Sequence, residues 1–130
     1  MDLLTISIPV SAGELLDKIT ILEIKAEKID EHEKLSNVRR ELSQLVAAAQ
    51  RQVFDAAGLV DLKIRLKQVN EQLWDIEDEV RSYEHTAEFD DRFIDLARSV
   101  YTFNDERAHL KRRINQLLNS ELVEEKSYGF

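Results

Sequence analysis

Two heptad runs fill residues 62–117 and leave little choice of fold. Leu62, Leu66, Val69, Leu73, Ile76, Val80 and Tyr83 step by four and three. Phe93, Leu96, Val100, Phe103, Arg107, Leu110, Ile114 and Leu117 step by three and four. This spacing lays one apolar seam along each of two helices. Helices over about 60–86 and 90–119 would each run roughly 40 Å. Arg107 interrupts the second seam. A guanidinium there must reach water, a carboxylate or a ligand, because an unpaired buried charge is very costly.

The 130 residues suit one domain, and they suffice for a core without staples. The absence of cysteine excludes disulfides, thiolate zinc sites and a thiol nucleophile. A net charge of −8 keeps the chain soluble and disfavours nucleic acid and anionic lipid as partners. One proline, three glycines and 34% charged residues fit long helices with few sharp loops. The opening Met1-Asp2-Leu3-Leu4 lacks the pattern of a secretory signal. No apolar stretch is long enough to span a bilayer, so a cytoplasmic location is expected.

The first half supplies two shorter helices. Residues 4–9 alternate apolar and polar and predict a short strand or extended arm, halted by Pro9. Ser11 and Glu14 form a capping-box pattern, so a helix starts at about residue 12. Leu15, Ile19, Leu22, Ala26 and Ile29 make its seam; Leu16, Ile21 and Ile24 widen the apolar surface, which predicts packing on more than one side. A second capping box at Asp30 and Glu33 and a slip in phase place a break near 30–36. A second helix then carries Leu35, Val38, Leu42, Leu45, Ala49 and Val53, with Gly58 as its C-terminal cap. The tail, LVEEKSYGF, is expected to be extended, with the N-terminal arm as a pairing partner.

Beside each long seam runs a second stripe. It comprises Asn70, Trp74, Glu77, Arg81 and Glu84 on helix three, and Ile94, Ala97, Tyr101, Asn104, Ala108 and Lys111 on helix four. Asp17, Glu77, Asp78 and Glu84 are the carboxylates that packing could bring to Arg107. The first reading is a structural ion network that fixes helix register. The second is an anion site where Arg107, Arg81 and Lys111 converge, Trp74 or Tyr101 stacks on a ring, and Glu77 or Asp78 orients a hydroxyl, a metal or Arg107 itself.

Other chemistry has thin support. Carboxylate pairs at i, i+3 recur in Glu14/Asp17, Asp75/Asp78 and Glu121/Glu124, but an acidic chain yields such pairs by chance, so neither a metal nor another cofactor is expected. His32, His85 and His109 show no metal spacing. No nucleophile elbow, phosphate loop or dinucleotide fingerprint occurs. Lys63, Arg65, Lys67 and the run Lys111-Arg112-Arg113 are diluted by acidic neighbours, which disfavours nucleic-acid binding.

Four strings are distinctive together: PVSAGELLDKITILEIK, LWDIEDEVR, FIDLARSVYTFNDERAHLKRRIN and VEEKSY. The chain resembles a bacterial domain family of unknown function whose members open with a PVS-GEL-DKITIL-IK pattern. That resemblance implies a single bacterial domain and brings no mechanism. The strings hold the polar residues Asp17, Lys18, Lys25, Trp74, Glu77, Asp78, Arg81, Asn104, Arg107, Lys111 and Asn115. Converged, they would line a pocket; dispersed, they are solvated faces.

The expected fold is therefore an all-α antiparallel bundle over 1–130. A long hairpin at about 60–119 packs with two shorter helices, flanked by short extended arms. The expected function is a non-catalytic helical module that assembles with itself, as a homodimer, or with a protein partner. The alternative is a binding protein or enzyme for a small anionic metabolite, such as a nucleotide, nucleotide sugar or sugar phosphate, held at an Arg107-centred pocket. Membrane and nucleic acid are not expected as partners.

Overall fold

The structure is a computed structural model and describes residues 2–127. Four helices follow in order: α1 (Ala12–Lys28), α2 (His32–Arg51), α3 (Leu59–Thr86) and α4 (Asp91–Leu117). They form an all-α bundle, with no strand among the described residues. None of the helices is long and apolar enough to cross a membrane.

The local sequence explains most of the ends. The Ser11 hydroxyl accepts from the Glu14 amide at 3.0 Å, and Lys25 and Lys28 sit in the last turn of α1, where the helix dipole favours cations. The Asp90 carboxylate likewise accepts from the Phe93 amide at 3.1 Å and starts α4. Three expectations need correction. The Asp30/Glu33 box does not form; Glu31 precedes α2 and makes no side-chain cap. Val53 lies outside α2, at a φ of 50° that a β-branched residue rarely adopts. Gly58, at φ 90°, opens α3 rather than closing α2.

α1 is the central element. It packs against α2, α3 and α4, while α2 makes its helix contacts with α1 and does not closely approach the hairpin backbone. The two shorter helices thus join the hairpin in sequence, α1 on the hairpin backbone and α2 on α1, with α2 side chains packed on the shared core. α2 buries no residue completely, and Leu42, Leu45, Val46 and Ala49 are only half-covered. The core joins Leu16 and Ile19 of α1 to Leu59, Leu62, Leu66 and Val69 of α3 and Leu110 and Ile114 of α4.

Burial along the hairpin seam is deepest at its base, although Leu96 near the turn is also buried. Leu66, Leu110 and Ile114 are wholly buried at the base, whereas Val80, Tyr83, Phe93 and Val100 are half-buried toward the turn. There Phe93 packs on Phe89 and Tyr83, with ring centroids 4.9 and 5.9 Å apart. Leu117 does not end the seam as expected; Leu118 packs on the core in its place.

The N-terminal arm, residues 2–10, is exposed and forms no ladder with the tail among the described residues; tail residues 128–130 lie outside them. The predicted pairing of arm and tail is replaced by side-chain bonds. The Ser11 hydroxyl donates to Glu124 at 2.7 Å, and the Ala12 amide donates to the Ser120 hydroxyl at 3.1 Å. Lys126 meets Asp105 and Arg112 meets Glu125, which holds the tail along α4.

Gly13 sets how closely α1 meets α4. Its amide donates to Asn115 Oδ1 at 2.6 Å, and a Cβ there would lie 2.5 Å from the Lys111 carbonyl oxygen. That neighbour is backbone and cannot swing aside. Helix propensity alone would make Gly13→Ala stabilising by about 1 kcal/mol. The contact reverses the sign: a net loss of about 1–2 kcal/mol is expected from the urea midpoint, as for other overpacked sites.

Candidate functional site

Polar side chains concentrate where α1 crosses the hairpin. Asp17 on α1 is completely buried. Its carboxylate accepts from Arg107 Nε at 2.9 Å through Oδ1, and from a second guanidinium nitrogen through Oδ2. Asn70 Nδ2 donates to the same Oδ1 at 2.9 Å and also to the Thr20 hydroxyl at 2.9 Å. Thr20 in turn donates to the Asp17 carbonyl at 2.8 Å. Three helices therefore meet at one carboxylate.

This arrangement answers the charge in the seam. Arg107 is held above its ordinary pKa, first by its hydrogen bonds to Asp17 and then by the charges of Asp17 and Glu14, against the opposing effect of burial. It stays protonated across the working pH range. The side chain keeps 30% of its surface in water, so desolvation falls mainly on Asp17. Bidentate geometry plus the Asn70 donor supply what a buried carboxylate requires.

One turn along α4, Lys111 bonds Glu14 at 2.6 Å, with Asp17 at 3.9 Å and Glu124 at 3.8 Å. Glu14 thus uses its side chain across the bundle rather than completing the capping box expected for α1. Lys111 faces a cavity of about 380 Å³ under the tail, lined also by Asp105, His109, Arg112 and Asn115.

A second, separate groove of about 430 Å³ opens between α1 and the hairpin. Trp74, Glu77, Asp78, Arg81, Asn104 and Arg107 all line it, as the sequence stripes suggested. Ile21, Ile24 and Leu73 supply its apolar lining, and Lys25 joins the polar rim. The remaining candidates lie elsewhere. Tyr101 is 61% exposed and lines neither cavity. Lys18 is exposed, beside Asp17 in sequence but not in contact with its carboxylate. Lys111 lines the other cavity; it comes within 3.9 Å of the Asp17 carboxylate that Arg107 bonds, but it does not join Arg107 and Arg81 in this groove. Arg107 is spent on Asp17, and Arg81 lies 3.8 Å from Glu77 on an exposed turn.

Thr20 is the network member that the sequence did not single out. The available signal was its place three residues after Asp17, on a face otherwise carrying Leu16 and Ile24. Among the described residues, no group of histidines and carboxylates is placed to hold a metal ion.

The ion pair makes a quantitative prediction. Asp17→Asn and Arg107→Met should each destabilise by about 3 kcal/mol, the low end for a broken buried pair because Arg107 keeps some water contact. The double variant should lose less than the sum of the two in a denaturant-based mutant cycle. Additive losses would mean that the pair is not coupled.

Comparison with known proteins agrees with the resemblance in the sequence. The chain belongs to a family of unknown function, DUF6165, whose pattern matches residues 6–130. No curated protein and no solved structure matches it significantly.

Proposed function

We propose that this member of DUF6165 is a non-catalytic helical module that assembles through its N-terminal arm. The observation that carries the reading is the exposure of that arm. Leu3, Leu4, Ile6 and Ile8 are 70–90% exposed, and the backbone of residues 2–10 makes no backbone hydrogen bond among the described residues. Alternating residues of an extended segment share a face, so Leu4, Ile6 and Ile8 form one apolar edge. Such a segment gains by adding to a sheet edge or groove of another molecule, or by pairing with its counterpart in a second copy. The half-covered face of α2 lies on the same module and adds apolar surface.

A homodimer is the simplest assembly, since one arm then meets another of identical pattern. Sedimentation of the full chain should give twice the chain mass at micromolar concentration. Replacing Leu4, Ile6 and Ile8 together by Asp should return it to a monomer with unchanged helicity, because none of the three contributes to the core. A wild-type chain that stays monomeric across the micromolar range would remove the homodimer and leave the arm to a partner of different sequence. A triple variant that still dimerises would remove the arm from the interface.

A further inference from the structure

We propose that the groove between α1 and the hairpin binds a small hydroxylated anion that carries a ring, of the class of sugar phosphates and sugar acids. The argument rests on which groups the protein leaves uncommitted. Arg107 is bound to Asp17 and Arg81 is near Glu77. The side chains of Lys25, Asp78, Asn104 and Trp74 also line the groove, and none of these side chains has a hydrogen bond or ion pair to the protein among the described residues. They comprise one cation, one carboxylate, one amide and one aromatic donor on three different helices. Four uncommitted polar groups facing a common space of about 430 Å³ match the size and make-up of a small-molecule site.

The chemistry selects the ligand. Lys25 takes an anionic group, since the Arg107 charge is already matched by Asp17. Asp78 accepts from hydroxyls, which a purely anionic ligand would not offer. Asn104 can donate to one ring substituent and accept from another. Trp74, beside Ile21, Ile24 and Leu73, gives a flat apolar surface for the face of a ring. A bare inorganic anion would leave Asp78 facing like charge, and a neutral sugar would leave Lys25 unanswered. Phosphate and carboxylate satisfy Lys25 alike, so the experiment separates them.

Trp74 is the only tryptophan in the chain, so its emission reports on this groove directly. The full-length protein would be titrated with glucose 6-phosphate, glucuronate, glucose and inorganic phosphate. Saturable quenching or a spectral shift is expected with glucose 6-phosphate or glucuronate, at concentrations where glucose and phosphate have no effect. Lys25→Met and Asp78→Asn should each weaken the midpoint at least tenfold while circular dichroism stays unchanged, since neither side chain has a protein partner to lose. Asn104→Ala provides a third variant. Absence of a saturable response to both anionic sugars overturns the proposal. So does a response that glucose or phosphate reproduces, or one that survives both Lys25→Met and Asp78→Asn.

Discussion

The Asp17 carboxylate is the interaction on which the architecture turns. Taking a carboxylate wholly out of water costs several kcal/mol, and the cost is met only when its partners arrive with the right geometry. Here they come from two other helices: Arg107 from α4 and Asn70 from α3. Apolar side chains accept many packings, because their attraction is non-directional. The carboxylate accepts few. It therefore fixes the height and rotation at which α1 crosses the hairpin, and the position of the groove beside it follows from that crossing. The close approach at Gly13 is the second constraint, and it acts one turn earlier on the same helix.

How much of this was legible depended on whether the signal was periodic or tertiary. The seams of α3 and α4 repeat over several turns, so their helices and antiparallel pairing could be read directly. Ser11 with Glu14 marked where α1 starts, at about residue 12. The break before α2 was harder, because Asp30 and Glu33 satisfy a capping pattern that the short linker does not use. Gly58 was visible as a left-handed residue, but such a residue closes one helix or opens the next with equal ease. The arm at 4–9 carries a strand pattern, and a strand exists only with a partner beside it.

The site was legible in its demands and not in its solution. A cation in an apolar seam announced that an anion was needed. Four carboxylates qualified, and choosing Asp17 required knowing where α1 crosses, which heptads on α3 and α4 do not encode. The stripe from Trp74 to Arg81 with Asn104 did converge, because residues flanking two paired seams face the same side. Lys111 continues the same stripe yet bonds Glu14 and lines the other cavity. Thr20 escaped notice because a lone hydroxyl within an apolar face carries no pattern of its own.

The polar contacts at the base of the bundle also have a kinetic side. Arg107 lies 90 residues from Asp17, and Glu124 lies 113 residues from Ser11. The α3–α4 hairpin, by contrast, closes through a turn of a few residues and needs nothing from upstream. Loop closure over such separations is slow relative to hairpin formation, and its entropy cost precedes any gain. On a ribosome, α1 emerges long before the residues that neutralise its carboxylate. Until α4 follows, the Asp17 carboxylate lacks its Arg107 partner, and the apolar flanks of α1 have first α2 and then α3 for cover. The earliest made of these four helices is thus the last to be locked.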